Sequence, residues 1–161
     1  MEKKPILILG VGNLLCSDEG VGVHLIRRLQ NIALPPQVEV VDGGTAGFEL
    51  IEYFRNRKKV ILIDALHMEA EPGSLFRLTM DDFAQADLGP FAVHQIGLPE
   101  LFHHVRKLDS PPEVVIFGVV PKDIQNFKIG LSPQVEDRLP EIISLVIKEI
   151  SEGPGSEKKD L

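Results

Sequence analysis

Short runs of uninterrupted apolar residues alternate along this chain with longer stretches in which apolar residues recur every three or four positions. Ile6-Leu7-Ile8-Leu9 and Val60-Ile61-Leu62-Ile63 are continuous runs, the pattern of strands covered on both faces. Val38, Val40 and Val41 make a strand between them, and Val114 to Val119 a last one. After the first strand, Val21, Leu25, Ile26, Leu29 and Ile32 fall at helical spacing, with Arg27, Arg28 and Gln30 on the wet face. Leu34-Pro35-Pro36 ends that helix, because proline cannot continue one. A second helix turns Phe48, Leu50, Ile51 and Phe54 inward and Glu49, Glu52, Arg55 and Arg57 outward. Strand, helix, strand, helix, strand is the order of a parallel, doubly wound sheet.

Beyond Asp64 the regularity breaks. Glu71-Pro72-Gly73 is a turn, and Leu75-Phe76-Arg77-Leu78 is a short strand with no useful helix before it. A parallel crossover needs about a dozen residues or more, usually with a helix, so this strand is expected to run antiparallel, at an edge. Residues 81–96 read as irregular loop with a turn of helix, and hold Pro90 and His94. Leu98 to Val105 reads as a short helix with Pro99 near its first turn. Ser132-Pro133 pairs an N-cap with a first helical residue. The helix it opens carries Val135, Leu139, Ile142, Ile143, Val146 and Ile150 inward, with a kink or late start at Pro140. The polar end Ser151 to Leu161 reads as a disordered tail, leaving one domain over residues 1–150.

Composition narrows the function more than the fold. The net charge of -7 disfavours nucleic acid and anionic membrane, since both need a basic face. A single cysteine, Cys16, allows neither an internal disulfide nor a Cys-rich zinc site. Met1-Glu2-Lys3-Lys4-Pro5 leads into only four apolar residues before Gly10, which is not a signal-peptide pattern. No stretch approaches the ~20 apolar residues of a membrane span. The expectation is a cytoplasmic protein.

The candidate chemistry lies where ligands bind in such sheets, outside the carboxyl ends of the strands. Gly10 and Gly12 let the backbone turn sharply after the first strand. Asn13-Leu14-Leu15-Cys16-Ser17 intervenes before Asp18 and Glu19 at the helix start. Carboxylates there suit the helix dipole, but repel a phosphate, so the site looks built for a cation. Asp42 ends the second strand and Asp64 the third. If Glu19 and Asp64 share a site, strands one and three are neighbours, which favours the order 2-1-3 over the dinucleotide-binding order 3-2-1. His94, in Val93-His94-Gln95-Ile96-Gly97, would complete a shell of two carboxylates and an imidazole suited to Zn or Ni. Simpler readings stand beside these. Asp18 and Glu19 serve as caps, Asp42 before two glycines as a turn residue, and His94 as a loop histidine. Asp64, after four apolar residues, is harder to read as structural. His24 reads as partly exposed. His67, three residues past Asp64, could line the same cleft. His103 and His104 point different ways and do not chelate together. Cys16 reads as a small loop residue within reach of a metal.

With these residues in view, the chain resembles the [NiFe] hydrogenase maturation proteases. GVGNLLCSDEGVGVHLI, DGGTAGFELIEYF, VILIDAL, HQIGLPELF and IGLSPQVEDRLPEII occur in order at matching distances. No departure appears at the positions expected to carry function. The resemblance implies a three-layer α/β/α sandwich with a five-stranded, mostly parallel sheet of order 2-1-3-5-4, strand 4 antiparallel. It implies an endopeptidase that removes a C-terminal extension from the nickel-loaded large-subunit precursor of a [NiFe] hydrogenase. It also implies Glu19, Asp64 and His94 as nickel ligands, with nickel carried by the precursor rather than kept as a permanent cofactor. The choice of Glu19 over Asp18 comes from the resemblance. Asp42 would support the site, and Asp42 with Asp64 would form an aspartic-type catalytic pair only if their side chains meet. The precursor is then the one partner, with a monomer slightly favoured. Two rivals come from other classes. A nucleotide-binding domain is opposed by Leu15 in place of the third glycine and by the acids at the helix start. A non-catalytic metal-binding or chaperone module for hydrogenase assembly has nothing in the sequence against it.

Overall fold

The continuous apolar runs become the middle of a sheet, because only strands buried on both faces need no polar side. The computed structural model describes residues 2–85 and 97–152. Within them β1 (Ile6–Val11), β2 (Val38–Gly44), β3 (Lys59–Ala65), β4 (Leu75–Thr79) and β5 (Glu113–Val119) form one sheet in the order β2-β1-β3-β5-β4. β1 pairs in parallel with β2 and β3, β3 in parallel with β5, and edge strand β4 runs antiparallel to β5. The expected order and the antiparallel edge are both observed.

Alternation along the strands divides the core into two layers. Ile6, Ile8, Ile61, Ile63, Val115 and Phe117 face α1 (Val21–Leu29), α5 (Pro133–Glu136) and α6 (Leu139–Ser151). Leu7, Leu9, Val60, Leu62, Val114 and Ile116 face α2 (Ile51–Phe54), α3 (Met80–Gln85) and α4 (Leu98–Val105). Helices on both faces make the three-layer sandwich. The anticipated break near Pro140 is a full interruption, with α5 ending at Glu136 and α6 starting at Leu139.

Four expectations need correction. Gly10 lies inside β1, so the turn starts at Gly12. α1 ends at Leu29, and Ile32 beyond it is exposed. Phe48 precedes α2 in a 3-10 turn and is exposed, its ring set edge-on against His104 at 4.9 Å. Arg57 is buried rather than outward, because its guanidinium donates to the Lys4 carbonyl at 2.7 Å and pairs with Glu39 at 2.6 Å. A buried cation is tolerated when it is paired and hydrogen-bonded in this way.

α1 sits so close to the sheet that one position has no room for a side chain. A Cβ on Gly22 would lie 2.4 Å from both the Ile63 and the Val11 carbonyl oxygens. These are backbone atoms and cannot swing aside. Gly22→Ala is therefore expected to push α1 off β1 and β3 and to cost about 1–3 kcal/mol, read as a lower midpoint in urea unfolding. An unchanged midpoint would mean that the helix moves freely.

Candidate active site

The site is built at the carboxyl ends of β1 and β3 by a loop that glycine makes possible. Gly12 has φ +142°, and a Cβ there would sit 2.0 Å from the Glu19 carbonyl oxygen. The chain then folds back on itself. Asn13 N–H donates to the Glu19 carbonyl at 3.1 Å, and Cys16 N–H to the Asn13 carbonyl at 3.1 Å. Ser17–Gly20 closes the loop as a 3-10 turn leading into α1.

On a turn of about three residues, adjacent side chains diverge by roughly 120°, and the two acids part company. Asp18 is wholly buried and points away from the pocket, into the 121–132 loop. Its Oδ2 accepts from Lys122 N–H and Asp123 N–H, both at 2.9 Å, and from Ser132 Oγ–H at 2.8 Å. Its Oδ1 accepts from Ser132 N–H at 2.8 Å. Ser132 precedes α5 as expected, but its hydroxyl is spent on Asp18 and makes no side-chain cap. Glu19 turns the other way and lines a pocket.

That pocket has a volume of about 320 Å³. Its walls come from Val11–Asn13 with Cys16 and Glu19, from the 44–47 segment, from Asp64, and from Gly97, Leu98 and Ile124. Asp64 is the penultimate residue of β3 and only 9% exposed. Burial pushes its carboxyl well above the ordinary range. The Ala65 N–H, donating to Oδ1 at 2.8 Å, opposes that shift, and the nearby Glu19 charge adds to it. One pocket thus holds an edge of Glu19 and a carboxyl that burial raises above the ordinary range. Burial beside a like charge shifts a carboxyl in this way at many catalytic centres.

His67 is more intimately placed than the sequence disclosed. It is buried, and its Nε2 lies 2.5 Å from Glu19 Oε1. Its position three residues beyond Asp64 was the one available signal, and nothing local tied it to Glu19. Asp42 is exposed and holds its own turn, with Oδ1 accepting from Gly44 N–H at 2.8 Å. β1 lies between β2 and β3, so Asp42 and Asp64 stand two strand spacings apart, about 10 Å. The structure does not bring them together as a proton-sharing pair. His94 lies outside the described residues. Cys16 is a free thiol on the pocket wall.

Among the described residues, no three His, Cys, Asp or Glu side chains form a metal cage. Glu19 and Asp64 offer oxygen donors from one side, an arrangement open to a cation presented from outside. Among the described residues, no helix is long and apolar enough to cross a membrane.

Comparison with known proteins sets this geometry in a lineage. The family model for hydrogenase maturation proteases matches residues 23–149. The hydrogenase 2 maturation protease of Escherichia coli is 34% identical over 150 residues, covering 91% of each chain. The hydrogenase expression/formation protein HupD of Bradyrhizobium diazoefficiens is 33% identical over 151 residues, covering 91% of this chain and 78% of its own. The solved structure of the hydrogenase maturating endopeptidase HybD from E. coli superposes with a TM-score of 0.81 at 33% identity, over 91% of this chain and 92% of that one.

Proposed function

This chain belongs to the hydrogenase maturation proteases, and from that membership we propose that it is the endopeptidase that trims the large-subunit precursor of a nickel–iron hydrogenase at its C-terminus. The observation that carries the reading is the pairing of Glu19 with Asp64 in one pocket at the carboxyl ends of β1 and β3.

In this reading nickel belongs to the substrate. Precursor thiolates hold it, and Glu19, Asp64 and His94 engage its open side. Gly97, three residues after His94 in the sequence, lines the pocket. His67 braces Glu19 from behind, the usual arrangement by which one side chain orients another toward a metal. A precursor without nickel leaves the Glu19 carboxylate facing no cation and is rejected on that ground. Metal loading thereby becomes the licence to cut. The bound nickel would polarise the scissile carbonyl or orient the attacking water. Asp64, with its raised carboxyl, is suited to handle the proton beside that bond. Asp42 contributes indirectly by holding the Gly43–Gly44 turn next to the pocket wall. A cytoplasmic site of action agrees with the single cysteine and acidic charge.

The test is cleavage of nickel-loaded and nickel-free precursor, read by intact mass, with the parent protein and His94→Ala. Loss of a C-terminal peptide only with nickel, and a fall of about 10–100-fold in the variant, is the expected result. Cleavage of both precursors alike would remove the licensing role. No cleavage by the parent protein would favour a non-catalytic assembly module.

A further inference from the structure

The pocket recognises a metal and a bond, yet the substrate in this reading is a folded protein that must be held by something larger. Three large apolar side chains stand in solvent beside the pocket: Leu15 is 56% exposed, Phe127 86% and Ile129 65%. They lie on two loops that are joined to each other. Cys16 forms a parallel bridge with Lys128, which sets Leu15 alongside Phe127, and Ser17 N–H donates to the Lys128 carbonyl at 3.0 Å. Other residues of these loops, Cys16 and Ile124, line the pocket that holds Glu19 and Asp64. The three apolar groups are therefore carried by the same loops that wall the pocket.

We propose that this loop pair is the docking face for the precursor, with Leu15, Phe127 and Ile129 as its anchors. The inference rests on the proteolytic reading above and adds the surface that selects the substrate.

The loops are built to be rigid. The buried Asp18 carboxylate fixes Lys122, Asp123 and Ser132. The Asp18 N–H donates to the Asp123 carbonyl at 3.1 Å. The Asp123 side chain in turn accepts from Gln125 N–H and Asn126 N–H, both at 3.2 Å. A backbone held in this way orders little further on binding, so the apolar contacts lose less of their worth to entropy. Exposed apolar patches next to a functional site are the usual mark of a protein partner. Charge narrows the partner further. Lys128 is exposed between Phe127 and Ile129, and Lys122 is exposed beside Asp123 earlier on the same loop, on a chain whose net charge is -7. The face fits an apolar surface fringed by carboxylates. The face is continuous with the loops that wall the pocket of Glu19 and Asp64, so the occupant it fits is the precursor whose end enters that pocket.

The experiment uses the full chain with Phe127 and Ile129 both replaced by serine. Both positions are in solvent, and Asp18, Glu19, Asp64 and His67 are untouched. Two measurements are made: steady-state cleavage of nickel-loaded precursor, and binding of that precursor immobilised on a surface. KM and the dissociation constant are expected to rise about 10–100-fold, as for loss of interface anchors, with cleavage at saturating precursor retained. Equal KM and equal binding in parent and variant would overturn the docking face. So would a parent protein that sediments as a dimer, a monomeric variant and an unchanged KM, which would assign the face to a second copy. If the parent binds the precursor but does not cut it, the proteolytic reading fails, and the binding ratio alone decides the docking face.

Discussion

Asp64→Asn is expected to abolish precursor processing while making the protein harder to unfold near neutral pH. The loss of activity follows from its place in the pocket. An amide can neither carry the proton nor offer nickel a carboxylate, and removal of a general acid or base costs about 10²–10⁴-fold. The gain in stability follows from burial, which raises the Asp64 carboxyl well above its ordinary 3.8, with Glu19 adding to the shift. Between the ordinary value and the raised one, the folded protein keeps a proton that the unfolded chain has released. Stability therefore falls as pH rises through that window, and below it the two states are protonated alike. Asparagine has no charge to bury and can still accept the Ala65 N–H that now reaches Oδ1. The melting temperatures of parent and variant should coincide at about pH 3.5 and separate, variant higher, as pH rises. A gap that does not change with pH would mean that Asp64 is not held under burial strain. A variant that still cuts would move the chemistry to another residue.

Asp18→Ala is expected to be the most damaging single change near the site without touching the pocket. The carboxylate accepts from three backbone N–H groups and one hydroxyl, on three residues more than a hundred positions away. Alanine leaves those donors buried without an acceptor. Hydrogen bonds to a charged group are worth about 1.5–3 kcal/mol each, and buried donors left without partners add to the loss. Because neighbouring effects do not add, a total of at least about 3 kcal/mol is the expectation. Asp18→Asn should rescue only part of this. One of its two terminal atoms becomes a donor, and it would meet either Ser132 N–H or the three donors now on Oδ2. Chemical denaturation gives the stability. Hydrogen exchange at Lys122, Asp123 and Ser132 shows whether the 121–132 loop is what loosens. If exchange there stays slow in Asp18→Ala, the carboxylate is not the clamp.

Several elements were legible because their causes are local. Apolar run length marked β1 and β3, and Leu98–Val105 is helical to the residue. The missing helix before Leu75 announced the antiparallel edge. Other features failed locally. Phe48 fits an apolar helical face, yet its ring rests outside against His104. Arg57 looks like a solvated charge and is buried by Lys4 and Glu39, which lie 53 and 18 positions away. Asp42 looked like a turn residue and behaves as one.

By itself, then, the sequence determined the order of strands and helices, the antiparallel edge and the presence of acids at the carboxyl ends of the strands. Periodicity, glycine placement and crossover length act over a few residues and are written in the chain. Spacing left Asp18 and Glu19 equivalent and the family resemblance chose Glu19, but only the tertiary structure gave the reason, with Asp18 a clamp, Glu19 a pocket wall and His67 against Glu19. It alone joined Leu15 to Phe127 across a loop bridge. Two neighbouring carboxylates are chemically alike. Which one meets buried amides and which meets the pocket is set by the direction each takes from a 3-10 turn and by a loop that arrives more than a hundred residues later.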